Sequence, residues 1–249
     1  MRGTALVTGA ARRIGRALAL TAAQAGYDVA VHHRDADADA RSLVQEIEAL
    51  GRKAVPVRAD LADESQACDL AGRAALALGP VTLLINNASV FQDDRIESLT
   101  HASWDAHMQT NLRAPILLSQ AVAAALPADI EGQIINMLDQ RVFKPNPQFF
   151  SYGLSRSALW SATRMLAQAL APRIRVNAIG PGPTLASIHQ TPEDFDAEAS
   201  NVPLRRGSSP DDIAGAARYL IDARQVTGQM IAVDGGQHLA WRTPDVIGN

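Results

Sequence analysis

The 249-residue sequence predicts a doubly wound α/β fold, a parallel sheet with helices on both faces. Three observations carry that expectation. Short apolar runs alternate with longer amphipathic stretches along the chain. The runs are apolar at nearly every position, as strands buried on both faces require. A glycine-bearing turn, from Gly9 to Gly15, joins the first run to the first amphipathic stretch. No repeat or linker-like stretch divides residues 1–249, so one domain is expected.

The elements follow in order. Strand 4–8 leads through the glycine turn to helix 13–25, and strand 28–32 leads to helix 37–50. The alternation of acid and alanine over residues 35–40 suits a solvated helix start. Strand 54–58 precedes helix 64–78, and strand 83–86 precedes a single long helix over 101–126. Strand 132–138 runs into Asp139, and a proline-rich connection, Phe143-Lys144-Pro145-Asn146-Pro147, separates it from helix 152–170. Strand 174–178 opens onto residues 180–210, which hold five prolines and no sheet pattern. Open α/β sheets bind ligands beyond the strands' C-terminal ends, so this segment is the candidate substrate loop. Ser209-Pro210-Asp211-Asp212 starts helix 211–221 with a serine cap, proline at the first helical position and acids against the dipole. Strand 230–233 is the last.

Bulk composition narrows the function. Hydrophobic content of 47% and charged content of 20% are those of an ordinary globule. A net charge of −3 gives no support for nucleic-acid or membrane-surface binding. Cys68 is the lone cysteine and fits a reducing cytosol. Arg12, Arg13 and Arg16 interrupt the stretch where a signal peptide needs its apolar region, and no apolar run is long enough to span a bilayer. A soluble cytoplasmic protein is expected, with no metal site.

The glycine turn points to a phosphate-bearing ligand. Glycines there let the backbone approach a pyrophosphate, and the helix N-terminus supplies N–H donors and a positive dipole end. Arg12 and Arg13 oppose that dipole, a conflict that a bound anion relieves; the alternative is that they simply point into solvent. After the second strand come His32-His33-Arg34 and then Asp35. Arg34 suits a 2′-phosphate and so NADP. Asp35 is either the acid that NAD enzymes place on the ribose or a helix cap.

The chemistry concentrates in Asp139, Tyr152 and Arg156. Tyr152 and Arg156, four apart on a helix, share one face. A phenol is a poor acid–base group near neutrality unless its surroundings shift it. The cation favours phenolate and the carboxylate opposes it, as expected around a tuned proton donor.

The glycine turn, Asn86-Asn87-Ala88, Asn111, the Tyr152–Arg156 pair and Pro181-Gly182 together resemble the short-chain dehydrogenase/reductase family. The likeness runs from Arg2 to Val233-Asp234-Gly235-Gly236. It implies a single Rossmann-type domain with a seven-stranded parallel sheet, commonly assembled as a homotetramer. It places Gly9, Arg13, Ile14 and Gly15 in the cofactor turn and Asp60 and Leu61 beside the adenine. Asn87 and Ala88 would line the groove, and Pro181, Gly182 and Thr184 would meet the nicotinamide end. Tyr152 becomes the proton donor, and Asn111 organises a nearby water.

Two departures narrow the branch. Arg13 replaces the common third residue of the glycine loop, and Asp139 replaces the catalytic serine. Both are similar to pteridine reductases, which carry a loop arginine and an aspartate thirteen residues before the tyrosine. His33-Arg34, Ser89 beside the groove and Phe91, where those enzymes stack a pterin on the nicotinamide, extend the likeness, and bacterial dihydromonapterin reductases are similar too. A third departure belongs to neither group: Arg156 stands where both have lysine. Arginine keeps the charge yet does not readily release a proton.

Asp139 favours a C=N substrate on chemical grounds. An ionised carboxylate only accepts hydrogen bonds, and beside a developing alkoxide it raises the barrier. A C=N nitrogen instead gains a proton, and pterins offer N–H donors to a carboxylate. The alternative role for Asp139 is a loop cap, and for Phe91 it is loop packing. Trp104 and Trp160 are expected to be structural, and His101 and His107 to be surface or cap residues. The expected activity is NADPH-dependent reduction of C=N bonds in a pterin or dihydropterin-like substrate, bound by Arg13, Ser89, Phe91, Asp139 and Tyr152. Two alternatives stand: a short-chain reductase of ketones or 3-oxoacyl thioesters, and, because of Arg156, a weakly active NADP-binding regulatory protein.

Overall fold

The computed structural model describes residues 2–241. Seven strands form one sheet: β1 (Thr4–Val7), β2 (Asp28–His33), β3 (Ala54–Arg58), β4 (Val81–Asn86), β5 (Gly132–Met137), β6 (Ile174–Pro181) and β7 (Met230–Val233). Their order is β3-β2-β1-β4-β5-β6-β7. Every pairing is parallel. The helices are α1 (Arg13–Gln24), α2 (Asp37–Ala49), α3 (Glu64–Leu78), α4 (His101–His107), α5 (Ala114–Ala125), α6 (Phe150–Leu170), α7 (Pro192–Asn201) and α8 (Pro210–Asp222).

Strand alternation explains the continuous apolar runs. Ala5, Val7, Leu83 and Ile85 pack into one core layer with Leu18 of α1, Leu43 of α2 and Ile213 of α8. Their neighbours Leu6, Leu84 and Ile134 face the opposite layer, with Leu70 of α3 and Leu118 of α5. Both faces are therefore apolar. A buried polar ladder adds register: Asn86 Nδ2 donates to Asn136 Oδ1 at 2.8 Å, and Asn136 Nδ2 donates to Thr163 Oγ1 of α6 at 2.9 Å.

Three expectations need correction. Residues 101–126 are not one uniform α-helix: Met108–Arg113 widens into a π-helical segment between α4 and α5. The 180–210 segment is not wholly irregular, because α7 lies within it. Its start, Thr191-Pro192-Glu193-Asp194, has a capping box and an early proline, just as Ser209-Pro210-Asp211-Asp212 has at α8. The absence of any buried residue in α7 hid it from a search for an apolar stripe. Strand β6 also runs on through Gly180 and Pro181, which pair with Ala232 and Val233.

Candidate active site

The strand order reverses direction between β1 and β4, and the crevice lies at their C-terminal ends. Thr8 Oγ1 ties the two strand ends together, accepting from the backbone N–H groups of Asn87 at 2.8 Å and Ala88 at 2.9 Å. Asn87 Nδ2 returns bonds to the carbonyls of Thr8 and Gly9 at 2.9 and 3.2 Å. A Cβ on Gly15 would lie 2.0 Å from the Gly9 carbonyl oxygen, so no other residue fits there. Gly9 itself turns through φ +60°, which favours glycine. Arg13 adopts φ 53° without that freedom. A non-glycine residue held in this region is strained and is often functional.

A groove of about 530 Å³ follows this turn, lined by Gly9, Arg13, Ile14, Gly15, His33 and Arg34 and, farther along, by Asp60, Leu61, Asn87, Ala88 and Ser89. The sequence-derived cofactor residues of the adenine and phosphate half thus share one groove. Arg34 Nε donates to Asp35 Oδ2 at 2.8 Å, and Arg58 approaches Asp35 at 3.6 Å. Asp35 therefore serves as a counter-ion to two arginines, whereas Ala36 occupies the cap of α2. Arg58 went unnoticed in the sequence because its place opposite His33, with Nε donating to the Arg34 carbonyl at 3.0 Å, depends on the β2–β3 register.

His32 is a second residue that sequence reasoning passed over. Its Nδ1 accepts from the Gly9 backbone N–H at 2.9 Å, and its Nε2 donates to the Ala59 carbonyl at 3.1 Å. Burial pushes its pKa down to about 4. The neutral ring holds the glycine turn against the end of β3.

The second cavity, about 750 Å³, contains Asp139, Tyr152, Arg156, Phe91, Ser89 and Thr184. Pro181 and Gly182 also line it, and Arg13, Ile14, Asn87 and Ser89 border both spaces. The structure thus brings the expected catalytic trio together with the expected nicotinamide end and stacking residue. Gly182 has no room for a side chain, since a Cβ would come within 2.7 Å of Asp234 Cα. Thr184 is buried, with its hydroxyl donating to the Gly182 carbonyl at 3.0 Å. Arg13 donates to the carbonyls of Leu185 and Ala186 at 3.2 and 3.0 Å, pinning the candidate substrate loop to the glycine turn.

Asp139 divides its work between two oxygens. Oδ1 accepts from the Arg141 backbone N–H at 2.8 Å and caps the turn Gln140–Val142. Oδ2 accepts the Tyr152 phenol at 2.9 Å and the Arg141 guanidinium at 3.3 Å. The loop-capping and tyrosine-pairing roles therefore coexist. Burial first and the Asp139 charge second push the Tyr152 pKa up to about 12, against the opposing pull of Arg156. Arg156 lies with its guanidinium carbon 5.1 Å from the Tyr152 ring centroid. Its Nη1 donates to the Met137 carbonyl at 3.1 Å.

Phe91 is less free than expected. Its ring stacks on Phe149 at 4.1 Å and meets Tyr152 edge-on at 4.8 Å. The Arg141 guanidinium lies 5.7 Å from the Phe91 centroid and 5.4 Å from that of Phe149. Phe149 holds a left-handed φ of 52° at the start of α6, a strained position for a bulky residue. Asn111 lies buried in the π-helical segment, with its side chain bonded to both backbone groups of Val90 and, at 3.3 Å, to Ser155 Oγ. His107, expected at the surface or as a cap, is fully buried. Trp104, expected to be structural, is 38% exposed.

These residues fit a nicotinamide dinucleotide. His33 Nδ1 at the adenine end and Arg156 Nε at the other are buried polar atoms without a hydrogen-bond partner among the described residues. Buried polar atoms are rarely left so. No group of three or more His, Cys, Asp or Glu suited to a metal ion occurs among the described residues. Among the same residues, no helix is long and apolar enough to cross a membrane.

Fold, glycine turn and tyrosine site together define a dinucleotide-dependent oxidoreductase, and the chain belongs to the short-chain dehydrogenase/reductase family. Residues 9–238 match the family described as enoyl-(acyl carrier protein) reductase. The chain is 31% identical to the 3-oxoacyl-[acyl-carrier-protein] reductase of Staphylococcus epidermidis over 244 residues, covering 96% of this chain and 100% of that protein. Two solved structures are more similar. FolM alternative dihydrofolate reductase 1 from Brucella canis, complexed with NADP, is 48% identical with a TM-score of 0.94, covering 98% of this chain and 97% of that one. The Brucella suis protein of the same name, also with NADP, is 49% identical with a TM-score of 0.94 and 98% of each chain covered.

Proposed function

We propose that this protein is an NADPH-dependent reductase of the C=N bonds of a pterin or dihydropterin-like substrate. The observation that carries the reading is the 2.9 Å hydrogen bond from the Tyr152 phenol to Asp139. A carboxylate at this place stabilises a nitrogen that gains a proton and opposes an oxygen that gains negative charge. The names of the Brucella structures support the same direction and the same cofactor.

When bound, NADPH supplies the hydride to a ring carbon. The chain's own residues do the rest. His33, Arg34 and Arg58 would hold the 2′-phosphate end, and the N–H groups at the start of α1 would receive the pyrophosphate. Tyr152, kept protonated by its raised pKa, gives its proton from Oη to the adjacent ring nitrogen. Asp139 receives N–H donors of the ring and aims the phenol. Arg156 lies against the resulting phenolate as a permanent cation. The two electrons arrive with the hydride and the proton comes from Tyr152, which balances reduction of one C=N bond. Solvent restores the phenol proton through Asp139, whose side chain is 15% exposed.

A second reading, reduction of 3-oxoacyl thioesters, is favoured by the staphylococcal relative. Asp139→Ser separates the two. The variant is expected to lose pterin turnover and to gain carbonyl reduction by about a hundredfold, the worth of a hydroxyl donor to a developing alkoxide. Steady-state NADPH oxidation with both substrate classes measures it. An Asp139→Ser enzyme that retains full pterin turnover removes the carboxylate from the reading.

A further inference from the structure

Phe91 sits between two clamps that come from one helix face. On one side, Asn111 takes both backbone groups of Val90, accepting from its N–H at 2.8 Å and donating to its carbonyl at 2.9 Å. On the other, His107 Nε2, one turn earlier, accepts from the Gln92 backbone N–H at 3.1 Å. An accepting Nε2 places the ring proton on Nδ1, which donates to Ser151 Oγ at 2.6 Å. Ser151 in turn donates to Asp94 Oδ2, and Asp94 Oδ1 accepts the Ser151 backbone N–H at 2.9 Å. The Phe150 N–H donates to the Asp94 carbonyl at 3.0 Å, closing the junction. Alternate residues Val90, Gln92 and Asp94 are thus each fastened, and Ser151 immediately precedes Tyr152.

The network is costly and deep. His107 and Ser151 are fully buried and Asp94 is 2% exposed. A buried carboxylate needs every one of these bonds to be tolerated, and an apolar junction would hold a loop at lower cost. Fixed geometry is what the polar version adds. Burial pushes the His107 pKa below its usual value, so the neutral ring that the bonding requires persists near neutrality. The Tyr152 ring lies 4.8 Å from Phe91 and 6.0 Å from His107, so the network encloses the pair without touching the phenol oxygen.

We infer that Asp94, Ser151 and His107 are positioning residues that set the Phe91 ring against the Tyr152 proton donor and thereby fix where a planar substrate lies. The role rests on the proposed reading of Phe91 as the stacking platform. A double-mutant cycle of His107→Leu and Phe91→Ala tests it, with His107→Gln as the variant that keeps one donor and one acceptor. His107→Leu lowers kcat/KM for the dihydropterin about tenfold or more, since small misplacements carry such costs. The KM for NADPH stays within about twofold, and His107→Gln recovers most of the loss. In the Phe91→Ala background, His107→Leu costs less than about twofold. Equal losses in both backgrounds, or a parallel loss of NADPH affinity, overturn the positioning role. Should His107→Leu fail to fold, Asp94→Asn enters the same cycle with the same criteria. A wild-type enzyme that reduces only carbonyl compounds removes the pterin reading by itself. The cycle is then run on the carbonyl substrate, where additivity alone overturns the inference.

Discussion

Asp139 joins two roles that sequence reasoning set against each other. Its Oδ1 caps a turn and its Oδ2 receives the Tyr152 phenol. The thirteen-residue spacing to Tyr152 made the pairing legible, because a strand end and a helix start in this fold face one crevice. Arg141 was not legible: it joins the site only because the capped turn folds its guanidinium over Phe91 and Phe149. A pH dependence follows at this scale. Tyr152 must be protonated to act, and its pKa is pushed up to about 12 by burial and by Asp139. Activity is therefore lost only as the pH rises through that value, leaving kcat/KM without a tyrosine limb below about pH 10, the free phenol's value. Asp139→Asn removes one of the two raising effects and moves the limb to lower pH. A limb that stays in place in Asp139→Asn shows that the carboxylate does not tune the phenol.

Elements place these residues, and here the sequence was less complete. Apolar runs revealed all seven strands, most plainly β1, β2, β4 and β5, which are buried at every position, while the edge strands β3 and β7 are only partly buried. The π-helical segment had a mark that was passed over: Pro115, just beyond it, has no N–H to donate to the Asn111 carbonyl four residues earlier, so a regular α-helix cannot run unbroken through 101–126. Helix α7 was signalled by its cap and not by its faces. His32 likewise acts between elements, bonding the glycine turn after β1 to Ala59 after β3. Its folded pKa is depressed from about 6.5 to about 4, so its contribution is fully present above about pH 6.5 and is lost as pH falls toward about 4. Between about pH 7 and about pH 5, this linkage removes on the order of 2 kcal/mol. Urea unfolding at both pH values checks it: His32→Asn is expected to show a shallower decline than wild type. Equal declines contradict the buried neutral ring.

At the scale of the whole molecule, one crevice joins a groove suited to a dinucleotide with the pocket around Tyr152 and Asp139, where the proposed function places a planar, nitrogen-rich ring. Arg13 stands at their junction and ties the segment before α7 to the glycine turn. The fold alone serves carbonyl and imine reductases equally. The distinction comes from the charge beside Tyr152. Arg156 retains the cation while giving up the lysine's readily released proton, so in the proposed mechanism the phenol's proton is resupplied from the carboxylate side. The most direct measurement is NADPH oxidation by the wild-type protein against a panel of dihydropterins, dihydrofolate, simple ketones and a 3-oxoacyl thioester. A pterin reductase oxidises NADPH with at least one dihydropterin and leaves the ketones and thioester nearly untouched. Reduction of ketones or thioester with no turnover of any pterin would contradict it.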